Sequence, residues 1–449
     1  LCINQPRSNF RKRFTRDGGS MVLLAVPIML GMYLLFPRIQ GGLWGLPDDS
    51  LSGRTGLTDE VRPGSIQYLL LNDEVAFRVR FSGPVPAPEK RYWRALVLEN
   101  SDGESWHRGV LHKRPASLEI QSGSLAVPYT TTFEAGPDKW LPVLDLPATR
   151  PPGTVARYGH VLESKDKLTS PLRLSLMSYS DARTGALDPQ ERHINQQLAK
   201  PPTARVAALV TRWKSGAKDT SSLVDNVLRH FREEPFFYSL SPPMLGPRPV
   251  DELLFETREG YCEHYAAAFT TLMRIAGIPA RLVVGYMGGQ INEVGGYLVV
   301  RQSDAHAWSE VWIEGSGWTR VDPTAAIAPE RIRYGTDMLR WIDAEGWIIG
   351  NVPMPALHGL LERGHWQRGV RWLQHRWDAV NYGWNEWVMA YGPERQYQLL
   401  QTLGLKQPNL TRMIVLLIGV SIVLLLLVQG LLSIRRTARD PVSRAYLLF

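Results

Sequence analysis

The sequence predicts an α+β fold: a helix packed on an antiparallel sheet, preceded by a β-sandwich-like domain and flanked by apolar membrane helices. Three observations carry this. After Gly260, apolar residues recur at helical spacing through Ala276, and the chain then changes to strand-like runs up to Pro323. Upstream, apolar and polar residues alternate in short runs broken by Pro and Gly about every 8–12 residues, the pattern of a sandwich. Near both ends lie uncharged apolar runs, one at residues 21–37, short for a span, and one at 413–434, and they are read as spans over 21–37 and 411–434.

Taken in order, residues 1–20 form a basic arm with Arg7, Arg11, Lys12, Arg13 and Arg16, and the first span follows at 21–37. Residues 38–66, rich in Gly, Pro and Asp, read as a linker. In the β-rich domain, 67–182, Val75, Phe77, Val79 and Phe81 alternate with Ala76, Arg78 and Arg80 as in a half-buried strand. Residues 92–99, 125–133 and 172–177 continue the pattern, and Trp93 and Trp106 are expected in the core. A polar, proline-ended join at 183–202 leads into a core at 203–335. Its first helices are marked by Val206, Leu209, Val210 and Trp213, and by Leu223, Val227, Leu228 and Phe231. Residues 336–410 are tryptophan-rich, which suits a membrane interface just before the second span at 411–434. A basic tail, 435–449, closes the chain.

The 449 residues are 44% hydrophobic, enough for several domains. The two end arms hold nine Lys/Arg against Asp17 and Asp440, and so supply +7 of the formal +8. The positive-inside rule then places both ends in the cytoplasm and residues 38–411 outside. The basic balance is thus a topology signal; no basic patch interleaved with aromatics points to nucleic acid. No methionine opens the chain, and a piece of a longer protein is expected.

The candidate chemistry lies between 257 and 324. Cys262 opens the helix that Gly277 and Pro279 terminate. A side chain in the first turn faces unpaired N–H groups and the positive end of the helix dipole, which stabilise a thiolate. Residues 306–314 and 318–323 read as a hairpin about Gly315-Ser316-Gly317. This makes His306 and Asp322 opposite or diagonal neighbours, with Cβ atoms ~5–8 Å apart. One imidazole nitrogen can then be held by the carboxylate while the other faces a thiol. With both ends inside, Cys2 and Cys262 lie on opposite sides of the membrane and cannot pair. A lone thiol in an oxidising compartment is either an inert buried side chain or a used one; His306 and Asp322 favour the second. Glu310 is expected in a salt bridge, for instance with Arg320, and His264 in a structural role. Cys262, His264, His306 and Asp322 do not converge as zinc ligands, no EF-hand loop is present, and no cofactor is implied.

The segments GYCEHYA, GIPARLVVGY, DAHAWSEVW and GWTRVDPT resemble the transglutaminase core, a relative of papain-like thiol enzymes. RTGLTDEVRPGSIQYLL and WRALVLENSDGESW resemble the extracytoplasmic β region of membrane-anchored bacterial transglutaminase-like proteins. The resemblance implies a protein-glutamine γ-glutamyltransferase, outside the inner membrane, joining glutamine side chains of a protein or peptide to an amine. It implies the triad Cys262, His306 and Asp322, with the backbone N–H of Cys262 in the oxyanion hole. The second donor is not placed by the sequence: Tyr238 is a candidate, since upstream aromatics serve so in some relatives, but core packing is the favoured reading of that residue. A cysteine peptidase or amidase with the same triad, and a non-catalytic peptide- or wall-binding scaffold, are the alternatives.

Overall fold

The computed structural model describes residues 57–334, apart from 63–66, 71, 117–125, 137 and 180–182, together with scattered helical positions outside that range. The chain divides into two compact units, Pro47–Arg376 and a second comprising Leu1–Leu46 with Trp377–Phe449. The expected spans lie outside the described residues except at Met29 and six positions of the second run, and so does the tryptophan-rich segment except at Arg376, Gln401 and Thr402. Among the described residues no helix is long and apolar enough to cross a membrane.

Strand β1 (Val75–Phe81) forms where alternation predicts it, and β2 (Tyr92–Leu98) is buried along its whole length. They are followed by β3 (Ala126–Phe133), β4 (Val143–Leu144), β5 (Leu146–Pro147) and β6 (Leu172–Tyr179). Helix α1 (Ala204–Ser215) buries the four expected residues, Val206, Leu209, Val210 and Trp213. Asp219 and Ser222 form a capping box at the start of α2 (Thr220–Glu233), which buries Val224 where the spacing suggests Leu228. The short strands β7 (Phe237–Tyr238) and β8 (Glu259–Gly260) pair in parallel just ahead of α3 (Cys262–Ile275). Then come β9 (Ala280–Met287), β10 (Gln290–Asn292), β11 (Tyr297–Arg301), the hairpin β12 (Ala305–Ile313) and β13 (Gly317–Val321), and the short helices α4 (Thr324–Ile327) and α5 (Pro329–Tyr334).

Residues 67–182 do not keep a sandwich to themselves. Of the two larger sheets, both antiparallel, one runs β13–β12–β9–β2–β4 and the other β10–β11–β1–β3–β6–β5. Each sheet mixes strands from before and after the join at 183–202. The cause lies in β2 and β9: both are buried on two faces and need partners along both edges. β9 takes β12 on one side and β2 on the other. The register shifts between Val284 and Gly285. Gly285 lies opposite His306, and a Cβ there would stand 1.9 Å from the Trp93 carbonyl oxygen, so only glycine permits this approach.

Helix α3 is more central than a single buried stripe implies, with 11 of its 14 residues buried. Its Thr270 Oγ1 lies 2.9 Å from Ser309 Oγ, which in turn donates to the Ala266 carbonyl at 2.9 Å, so the helix lies on the Ala305/Ala307/Ser309 face of β12. Arg274 anchors the other end, donating to the carbonyls of Ala280, Gln197 and Glu99 at 2.7–3.0 Å. Burial lowers its pKa to about 10, against the smaller opposing effects of Tyr158 and Glu99.

Behind the sheet the expected Glu310–Arg320 pair does not form, although the two residues are register partners. Glu310 is bound instead by Arg94 of β2 and by Arg281 of β9, whose Nε donates at 2.8 Å. Arg320 turns to Asp145 at 2.9 Å and lies over the Tyr92 ring at 4.2 Å. Two guanidinium groups reach Glu310 from neighbouring strands, and that leaves Arg320 for the remaining acid.

Candidate functional site

Cys262 is the first residue of α3, His306 the second of β12, and Asp322 follows the last residue of β13. All three therefore stand at element ends. Ser309 pairs with Val321 and Ile313 with Gly317, so the hairpin centres on residue 315. Continued one step, this register sets Asp322 opposite Trp308, and His306 becomes its diagonal neighbour. The shape of the turn depends on Gly317, at φ +80°, where a Cβ would meet Thr184.

His306 is fully buried, and its Nε2 lies 2.8 Å from Asp322 Oδ2. The Tyr92 hydroxyl donates to the same oxygen at 2.7 Å, and the Thr324 amide donates to Oδ1 at 2.9 Å. Burial works to raise the Asp322 carboxyl, but the imidazole and these donors hold it below the usual carboxylate range. Burial likewise disfavours charge on His306. The Asp322 carboxylate overcomes that, with a smaller contribution from the Cys262 thiol, and lifts the ring to about 9. The ring packs against Trp308 and Tyr92, with centroids 6.3 and 6.0 Å away. Its other nitrogen, Nδ1, is buried and makes no hydrogen bond of normal geometry, while the Cys262 thiol interacts with the ring.

Cys262 is itself fully buried and unpaired with any other cysteine. The Tyr238 side chain of β7 interacts with its amide and its thiol, while the hydroxyl makes no hydrogen bond of normal geometry. His264 points elsewhere. Its Nδ1 accepts from the Tyr261 amide at 3.5 Å, its ring packs on Tyr261 at 4.5 Å, and burial lowers it to about 4. A cavity of about 200 Å³ opens on that side of α3, lined by Trp106, Val206, His264, Ala267 and Thr271 among others; Cys262, His306 and Asp322 do not line it. Among the described residues no group of three or more His, Cys, Asp or Glu side chains is placed to hold a metal ion.

The structure brings together the three residues that spacing suggested and adds Tyr92, which the sequence reading missed. Its signal was only that of a strand residue. The carboxylate is what keeps His306 charged against burial, so Asp322→Asn should drop the ring below 6.5. Measured by NMR titration, the imidazole should then be neutral at pH 7.5, where the unaltered protein holds it protonated. An unchanged titration near 9 would show that Asp322 is not the source of the shift.

Residues 207–323 match the model of the transglutaminase-like superfamily core, and residues 1–185 match the TgpA N-terminal domain. The fold is thus of the transglutaminase-like class. The solved periplasmic domain of TgpA from Pseudomonas aeruginosa is 38% identical, with a TM-score of 0.61, over 63% of this chain and 99% of that one. A protein-glutamine gamma-glutamyltransferase of Pseudomonas aeruginosa (strain PAO1) is 38% identical over 390 residues, 86% of this chain. The chain spans 57% of that relative's length. An uncharacterized protein of Bacillus subtilis, YebA, is 43% identical over 79 residues, which is 17% of this chain and 11% of that protein. The chain belongs to the bacterial transglutaminase-like family.

Proposed function

We propose that this protein is a protein-glutamine γ-glutamyltransferase that works through a thioester. Cys262 is the nucleophile, His306 its base and acid, and Asp322 the residue that orients the ring. The observation that carries the reading is the His306–Asp322 contact at 2.8 Å, with the Cys262 thiol interacting with the same ring where its helix begins. Cys262 and His306 rest as a thiolate–imidazolium pair, the thiol proton already on His306 Nδ1; the sulfur attacks the carboxamide carbon of a glutamine side chain, and a tetrahedral oxyanion forms. The imidazolium returns its proton to the nitrogen as ammonia leaves and the thioester remains. An amine then attacks the thioester, gives up its proton to His306 and regenerates the thiol. The Cys262 amide and the Tyr238 hydroxyl are the two donors available to the oxyanion. Asp322 remains ionised throughout.

The relative of the same name, and the naming of the solved P. aeruginosa domain as periplasmic, support this reading and its extracytoplasmic placement. Residues 21–37 and 411–434 are its membrane anchors. In the second run, Val415, Ile418, Ile422, Val423 and Leu426 are helical and more than half exposed, an apolar surface suited to lipid.

The test is incubation of the detergent-purified chain with casein and a labelled primary amine, beside Cys262→Ala. The unaltered protein should incorporate label, and the variant should fall to background, a loss of roughly 10³-fold or more. Peptide cleavage without incorporation would make the protein a peptidase. Incorporation that survives the substitution would end the proposal.

A further inference from the structure

Arg331 lies seven residues beyond Thr324, on α5. It is fully buried, yet Nε, Nη1 and Nη2 all lack a hydrogen-bond partner. A buried guanidinium normally finds a carboxylate or a set of carbonyls, as Arg94, Arg281 and Arg274 do here. Its surroundings identify what it faces. Helix α5 packs on α4, which itself contacts β7 and α3. Ile332 belongs to one apolar cluster with Tyr92 and Trp308. The charge on Arg331 acts on the hydroxyls of both Tyr92 and Tyr238, which flank Asp322 and Cys262 respectively. Three further buried polar atoms in this neighbourhood make no hydrogen bond of normal geometry: Tyr238 Oη and His306 Nδ1, which interact with Cys262, and Thr324 Oγ1.

We propose that Arg331 is the anion receptor of the acyl-donor pocket, and that the preferred donor carries a carboxylate close to the reacting carboxamide. The proposal rests on the thiol-transferase reading above and adds a substrate class to it. The guanidinium is a planar fork whose geometry matches a carboxylate with two parallel hydrogen bonds. Among groups that a peptide can bring near a glutamine side chain, the carboxylates of Asp, Glu and the C-terminus meet that description. A guanidinium kept desolvated and unpaired is already prepared for such a ligand, and its unmet hydrogen bonds penalise a neutral donor.

Two alkylating reagents that differ in charge test this without requiring transferase activity. Iodoacetate presents a carboxylate beside the carbon that Cys262 attacks, and iodoacetamide presents a neutral amide. His306 favours the anion in every protein compared, so the informative quantity is the ratio of the two rates across variants. Arg331→Gln should lower the iodoacetate-to-iodoacetamide ratio roughly tenfold while the iodoacetamide rate stays within about twofold, and Arg331→Lys should restore part of the ratio. The same preference should appear in transfer as a raised KM for glutamine peptides ending in a free carboxylate, with little change for their C-terminal amides. A ratio unchanged in Arg331→Gln, or both rates falling together in Arg331→Gln and Arg331→Lys, would overturn the receptor and leave the thiol mechanism standing. Failure of either reagent to label Cys262 in the unaltered protein would overturn both.

Discussion

Replacing His306 by alanine should slow alkylation of Cys262 at neutral pH by about two orders of magnitude and amine transfer by about 10³-fold or more. General acid–base participation contributes roughly 10²–10⁴-fold on its own, and here one ring serves both as base and as acid. The expectation is large because the ring is so heavily constrained. It is buried, fixed through Nε2 by Asp322, and packed between Tyr92 and Trp308, so a substituting water cannot take the same position. Stopped-flow alkylation with a neutral reagent measures the first effect, and labelled-amine incorporation measures the second. Equal alkylation rates in the two proteins, both folded by circular dichroism, would separate Cys262 from His306 and remove the basis of the mechanism.

The second large effect concerns stability. Glu310→Ala should cost about 3–5 kcal/mol, because it leaves the buried guanidinium groups of Arg94 and Arg281 without their shared carboxylate. Urea unfolding should show a lower midpoint with an unchanged slope. Burial opposes ionisation of Glu310, but the two arginines prevail and hold its carboxyl down at about 2. A depressed folded-state pKa contributes stability that is complete above the ordinary value of 4.5 and disappears as pH falls toward 2. The unaltered protein should therefore lose stability across that acidic window, and Glu310→Ala should lose less. A cost under 1 kcal/mol would mean that Arg94 and Arg281 find adequate carbonyl partners without the carboxylate. Arg94 already donates to the Asp145 and Gly159 carbonyls, which makes this a real alternative.

The contrast between Glu310 and His306 explains what the sequence could reveal. The Cys262 helix, strand Val75–Phe81 and the His306–Asp322 pairing depend on residues within one element or one hairpin, where spacing is geometry. Even there the turn is shorter than expected: Gly317, which the sequence places in the turn, is the first residue of β13 and pairs with Ile313. Longer-range partners left no such trace. Glu310 meets Arg94 across 216 positions, and β9 meets β2 across nearly as many, so nothing local distinguishes Arg94 from Arg320 as the mate. The same limit hid Tyr92, whose hydroxyl reaches Asp322 across 230 positions. Arg331 was illegible for another reason: a basic residue on a six-residue helix looks like ordinary surface until its burial is known.

The placement of Tyr92–Leu98 has a consequence for how this protein can be divided. A fragment beginning at residue 203 would keep every segment of the family core, yet it would leave one long side of Ala280–Met287 with unsatisfied amides and carbonyls. Such a bare margin invites a foreign strand, which is the usual first step toward insoluble aggregates. The fragment would also lack the phenol that steadies Asp322. Recombination between relatives is constrained in the same way, since a graft that exchanges one half must supply a matching strand for the other.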